Sequence, residues 1–201
     1  MDTEGNMAIP FQFTEAREFS NGLATVGIDY EEEWGFRTRF GKIDIEGNIV
    51  LPFEYDTIWS YCGSAIYALP IEGEYRVYDR NGDYIVSPGR FGSINRFSEG
   101  LAAVAVGAWQ DTPFGFIDMQ GNEVIPLMFS NAGDFSQGFA MVRMGGWETA
   151  PDGSRVDNSR WGFIDRAGNI VVPIEFYEVR DFSEGLAWVR IGDYWGLLQI
   201  E

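Results

Sequence analysis

The sequence contains no histidine and a single cysteine, Cys62. Without histidine there is no imidazole base to activate a serine or cysteine nucleophile. Cys62 therefore reads as a small packing residue. A lone cysteine also excludes an internal disulfide, which favours a reducing compartment. Cations are scarce: 14 Lys and Arg stand against 31 Asp and Glu, a net charge of −17. Phosphate contacts need Lys and Arg, so nucleic-acid binding is disfavoured. The acidity suits solubility and the separation of sheet edges, and its sharper reading is a basic partner or mimicry of nucleic acid. No apolar run reaches the length of a membrane helix, and no membrane contact is expected. The opening residues, MDTEGNMAIP, lack the basic flank and apolar stretch of a secretion signal, so a cytoplasmic location is expected. There is no glycine-rich phosphate loop ending in Lys-Ser/Thr. No cofactor is expected.

Glycine and aromatic residues are plentiful, with 25 Gly and 16% aromatics. That composition suits many short strands and tight turns. The stretch from Trp161 to Arg190, WGFIDRAGNIVVPIEFYEVRDFSEGLAWVR, is the clearest unit. Trp161–Asp165 is aromatic and β-branched, and reads as a strand, here called B. Asp165-Arg166-Ala167-Gly168 is a type I turn signature, with Asp accepting a backbone N–H and Gly supplying a positive φ. Ile170–Val172 is the return strand, C, and Pro173 is expected to end it. A second turn at Ser183-Glu184-Gly185 leads to strand A, Leu186–Val189. A further short strand is expected between Pro173 and Phe182. Short connections imply an antiparallel meander.

The same marks recur about 40 residues apart, the spacing of a repeat array. Prolines close strand C at Pro10, Pro52, Pro88, Pro126 and Pro173. Alanines mark strand A at Ala24, Ala65, Ala102, Ala140 and Ala187. Asp-x-x-Gly turns fall at Asp2, Asp44, Asp79, Asp118 and Asp165. The chain is read as one domain of five units: residues 2–29 with 195–201, then 30–68, 69–106, 107–143 and 144–190. In the second, Trp34-Gly35-Phe36 precedes Phe40-Gly41, and Phe40-Gly41 is taken to set the register. In the first, Met7–Pro10 is the expected strand C. The last strand B, Trp195–Gln199, has no strand C after it. The expected fold is all-β: antiparallel meanders closed into a five-bladed β-propeller whose terminal strands share a blade. The alternative is an open β-solenoid or superhelix.

The motifs WGFID-x-x-GN-x-V-x-P and FSEGLA-x-V resemble the WG-repeat family of bacterial proteins. The resemblance spans nearly the whole chain. It is weakest at Tyr61–Arg96, where Ser64 and Tyr67 replace Leu and Val. It implies a binding or structural module with no catalytic residues to carry over.

The turn aspartates, including Asp44, Asp79, Asp118 and Asp165, have structural work at their own turns. A catalytic role would require two to converge. Trp161, Trp195 and Phe114 are expected in the core. The residues that repetition does not explain lie in the A-to-B connections, and function concentrates in loops on rigid scaffolds. Three are well furnished: Ile28–Glu33, Gly107–Asp111 and Met144–Arg160. Trp109 and Trp147 are candidate interface anchors, with Tyr30, Glu32, Asp111 and Glu148 beside them. Asp152, Asp157 and Asn158 match no established calcium loop, so no metal is expected. The functional expectation is a monomeric, non-enzymatic module for a protein partner. A carbohydrate- or cell-wall-binding module is the alternative. A hydrolase pairing Glu148 with Asp111 has no spacing to support it.

Overall fold

The computed structural model describes residues 7–33, 35–61, 65–71, 75–107 and 112–200. Cys62, Trp34, Trp109 and Asp111 lie outside them, as does the Asp2 turn. The described residues form antiparallel strands and no helix. They fall into two compact units, 1–89 and 90–201.

The first unit carries one seven-stranded sheet in chain order. Its strands are β1 (Glu15–Ala16), β2 (Leu23–Glu32), β3 (Gly35–Asp44), β4 (Ile49–Tyr61), β5 (Ala65–Pro70), β6 (Arg76–Tyr78) and β7 (Tyr84–Val86). In the second unit, β8 (Ser93–Ile94), β9 (Leu101–Ala105), β10 (Phe114–Asp118) and β11 (Glu123–Phe129) form a four-stranded sheet. Next come β12 (Asn131–Ala132) and β13 (Phe139–Met144), then a separate hairpin of β14 (Trp147–Thr149) and β15 (Arg155–Asp157). β16 (Arg160–Asp165) and β17 (Ile170–Phe176) complete the sheet begun by β12 and β13. A final sheet joins β18 (Glu178–Val179), β19 (Leu186–Ile191) and β20 (Tyr194–Gln199). The short strand expected before Phe182 is β18.

Apart from the β14–β15 hairpin, each sheet of the second unit straddles two repeats. Strand A of one repeat pairs with strand B of the next, as β13 does with β16 and β9 with β10. Consecutive sheets then pack face to face. One core joins Phe116, Ile125 and Phe129 to Phe135, Ala140, Val142 and Ile164. The next joins Phe163, Val172 and Phe176 to Val179, Phe182, Ala187 and Val189. Rings lock these contacts: Phe116 meets Phe135 at 5.0 Å, and Phe163 meets Phe182 at 4.8 Å.

Three expectations need correction. Pro173 does not end its strand, because β17 runs through it to Phe176. The B–C register slips there, with Phe163 facing Val172 but Trp161 facing Phe176. In that bulge the proline's missing N–H costs no ladder bond. Pro52 and Pro126 sit likewise inside β4 and β11. Met7–Pro10 forms no strand. Elsewhere strand C is held by a strand B, and among the described residues no strand pairs with Met7–Pro10. Trp161 and Phe114 pack against their cores, but Trp195 stays 40% exposed. It lies on β20, which among the described residues has a ladder partner on one side only.

Candidate functional site

The A-to-B connections are built structures rather than slack loops. The first is an arm made by β2 and β3, which pair continuously from Leu23↔Asp44 out to Glu32↔Gly35. Tyr30 and Glu32 point to one face of it. The Arg39 guanidinium lies 4.5 Å over the Tyr30 ring and 3.4 Å from Glu32 Oε1. Tyr30 and Glu32 are thus joined through an arginine of their own arm, which neutralises the pair. Arg37 is also committed, since its guanidinium donates to both Asp56 oxygens at 2.7 Å. On the other face the Thr14 and Thr38 hydroxyls donate to Asp29 Oδ1. That face carries Glu31 and Phe36, which oppose one another and are exposed.

The third connection, expected as a loop, is the β14–β15 hairpin. Trp147 pairs with Asp157, Glu148 with Val156 and Thr149 with Arg155. Directly opposed residues share a face, and successive ones alternate. Trp147, Thr149, Arg155 and Asp157 therefore form one face, while Glu148 and Val156 form the other. Trp147 and Glu148, adjacent in sequence, are not brought together. Trp147 is 59% exposed, with the Arg155 guanidinium 5.4 Å from its ring. Asp157 ties the hairpin to its sheet through Arg143 Nη2 at 2.9 Å.

Asp152 accepts from the Ser154 N–H and hydroxyl, and Asp157 does the same from Ser159. These bonds, with Ser154 and Ser159 as the largest influences, hold both carboxyls below the usual range. Asn158 Oδ1 accepts from the Gly146 N–H. The three candidate calcium ligands are thus engaged within the hairpin. Among the described residues, no group of three or more Asp, Glu or Cys is arranged for a metal. The second connection holds Trp109 and Asp111, outside the described residues.

The turns at the opposite ends of the strands show what the recurring residues do. At each of Asp44, Asp118 and Asp165, one oxygen accepts two backbone N–H bonds and the other a side-chain amide. The Asn48, Asn122 and Asn169 side-chain bonds are the largest of the effects that depress these carboxyls. At Phe-Ser-Glu-Gly, Glu99, Gln137 and Glu184 hold φ of 53 to 55°, followed by a positive-φ glycine. Two left-handed residues in series, with Ser98 and Leu101 bonded reciprocally, make a type I′ hairpin turn.

The family model described as WG containing repeat matches residues 1–30, 40–63, 75–107, 114–146 and 161–195. The chain belongs to the WG containing repeat family. No curated protein and no solved structure matches it. The WG repeats explain most residues singled out by repetition, because each has a local structural task. The glycine of each Trp/Phe-Gly pair lets the bulged strand C approach. A Cβ on Gly162 would stand 2.6 Å from the Val172 carbonyl oxygen, and one on Gly115 2.5 Å from that of Ile125. Gly41 behaves alike, 2.7 Å from the Leu51 oxygen, whereas Gly35 meets nothing within 4 Å. Phe40-Gly41 is therefore the register-setting copy.

Sequence reasoning missed two features. Phe36, 76% exposed, was hidden in a copy of the repeat motif that does not act as one. Lys42, the only lysine, is 4% exposed in the slot that Phe116 and Phe163 fill elsewhere. Its Nζ donates to Thr25 Oγ1 at 3.1 Å, and burial, aided by Arg17, pushes its pKa below 10.5.

Proposed function

We propose that the chain is a non-enzymatic interaction module that presents its A-to-B structures to a protein partner. The observation that carries this reading is Trp147, a large ring half open to solvent on a hairpin with its own two-stranded sheet. A rigid, partly stacked tryptophan loses little freedom on binding, which is why such residues anchor interfaces. The net charge of −17 suits a basic partner and would speed its approach at low salt. The test is the affinity for a partner isolated from the native source. Trp147→Ala is expected to weaken it about tenfold or more, and Trp109→Ala to weaken it too. Unchanged affinity in both variants would overturn the assignment. Exposed tryptophan also stacks on sugars, so tryptophan fluorescence titrated with cell-wall oligosaccharides separates the carbohydrate alternative.

The finer architecture belongs to the same proposal: a five-bladed propeller in which the two terminal segments share one blade. Two separate facts support it. The last sheet has three strands, and Gly196, its Trp-Gly glycine, meets nothing within 4 Å. Residues 7–13 have no ladder, yet they pack as a strand C does. Ile9 lies against Gly47 as Ile125 lies against Gly168, and Phe13 and Ile9 cover Ala24, Val26 and Ile43. By the register of Phe163 with Val172, Leu197 would face Ile9. A double variant Ile9→Cys/Leu197→Cys, in a Cys62→Ser background, is expected to oxidise to a monomeric disulfide species. Failure to form it, or a crosslinked oligomer, would favour the open superhelix or an exchange between copies.

A further inference from the structure

The arm formed by β2 and β3 runs on past its neighbours. β1 pairs no further than Gly27, and β4 no further than Phe40. Beyond them Ile28–Glu32 and Gly35–Arg39 stand as a two-stranded ribbon. The Thr14 N–H donates to the Gly27 carbonyl, so Gly27 turns its backbone away from β3. Backbone direction alternates along an antiparallel strand, so Asp29 and Glu31 turn theirs outward too. The chain that could have followed this edge departs at Thr14, where Phe13 swings in to stack on Phe53 at 5.9 Å. Among the described residues, no strand pairs along the outer edge at Asp29 and Glu31.

The side chains at this edge are unequal. Phe36 opposes Glu31 across the ribbon, is 76% exposed, and has no ring packed on it among the described residues. The cations of the arm are spent elsewhere, Arg37 on Asp56 and Arg39 on Tyr30 and Glu32. Glu31 and Glu33 form no ion pair among the described residues. An open edge, an uncovered ring and uncompensated carboxylates thus coincide on one ribbon.

We propose that this ribbon binds an extended, cationic segment of a protein partner as an added strand. The segment's backbone pairs along Asp29 and Glu31, and one of its arginine or lysine side chains lies between the Phe36 ring and the Glu31 carboxylate. Strand addition supplies main-chain hydrogen bonds, and the alternating side chains supply the choice of partner. A cation over an aromatic face with a carboxylate beside it is favourable on both counts. An acidic segment would meet the charge of the ribbon and be excluded. The proposal rests on the reading of the chain as an interaction module, but it uses strands that do not include Trp147.

The test is fluorescence anisotropy with a labelled decapeptide of alternating arginine and threonine. Two controls accompany it: an alternating glutamate–threonine peptide, and the arginine peptide N-methylated at every second residue so that one edge cannot pair. The arginine peptide is expected to bind, and both controls to bind at least tenfold more weakly. Phe36→Ala is expected to weaken binding about fivefold. Glu31→Pro, which removes an outward N–H but leaves the β2–β3 ladder intact, is expected to do so at least as much. Circular dichroism confirms that both variants stay folded, and Glu123→Gln, an exposed position on β11 outside the ribbon, is expected to bind as wild type. No binding by the arginine peptide overturns the proposal. So does equal binding by the N-methylated peptide, or by both Phe36→Ala and Glu31→Pro, which would indicate plain charge attraction. Any of these, alongside a loss of partner affinity in Trp147→Ala, would sink the ribbon site and leave the module reading standing.

Discussion

Gly162 has room for a hydrogen and nothing more. Alanine there would press a methyl group to within 2.6 to 2.9 Å of backbone atoms of Val172, Pro173 and Ile174, which cannot move without breaking the bulge. Gly162→Ala is therefore expected to lower stability by about 1–3 kcal/mol, read from denaturant midpoints, and Gly115→Ala the same. Lys42 is the opposite case, a residue whose replacement should help. It holds an ammonium in a slot where other repeats place phenylalanine, with one hydroxyl for company. Its folded pKa is depressed, so the folded chain gives up that proton more readily than the unfolded one. Stability withheld at neutral pH should return as pH rises through the lowered value towards 10.5. Lys42→Met is expected to stabilise at pH 7 by about 1 kcal/mol and to flatten that rise. Tyr55 and Tyr78, whose hydroxyls lie 2.6 Å apart, have pKa values raised chiefly by burial. They keep their protons longer in the fold, so they oppose the rise above pH 10 in both proteins.

Turns join these residues into elements, and here sequence and fold agree unevenly. The Asp-x-x-Gly turn was legible because all its bonds lie within four residues, from Asp165 to Ala167 and Asn169. Its carboxyl is depressed in the fold, so the stabilisation is complete above about pH 4 and is lost as pH falls through the lowered values. Asp165→Ala should lower the melting temperature at pH 7, and the gap should close in strong acid. Asp181 runs the other way, because burial and Asp134 raise its pKa. The Phe-Ser-Glu-Gly turn was legible as a turn, but its glutamate was not explained. Asparagine is the usual residue for that left-handed position. At Glu99 and Gln137 the longer side chain reaches the next repeat. Glu99 accepts from the Gly138 N–H, 39 residues on, and Gln137 from the Gly185 N–H, 48 residues on. Ser98 and Ser136 donate likewise to the Phe135 and Phe182 carbonyls. Asn21 marks the turn whose next repeat has lost the motif, so local preference decides there. Glu99→Gln should be neutral, and Glu99→Ala should cost about 0.5–1 kcal/mol by thermal melts. Glu99→Asn should fall below Glu99→Gln despite its better backbone preference, because it is too short to reach. The candidate site was legible only as unexplained residues. Face and pairing, which part Trp147 from Glu148 and consume Tyr30 and Glu32, depend on a cross-strand register that composition does not encode.

At the scale of the whole molecule, closure of the repeats is tested at one glycine. The register-setting glycines Gly41, Gly115 and Gly162 are each forced by the strand C that crosses them, unlike Gly35. Gly196 repeats that choice of residue where, among the described residues, no strand crosses and a Cβ would meet nothing within 4 Å. If β20 remains an edge, Gly196→Ala should be neutral or slightly stabilising, since alanine loses less backbone freedom on folding. If residues 7–13 fill that place, as in the propeller proposed above, the methyl group meets a carbonyl as it would at Gly162. The loss should then approach that of Gly162→Ala, about 1–3 kcal/mol. Truncation sharpens the comparison. Deleting residues 1–13 should abolish the effect of Gly196→Ala in a closed ring and leave it unchanged in an open array. The pair of measurements is a double-mutant cycle across the seam, and a coupling of at least about 1 kcal/mol is the result that closure requires.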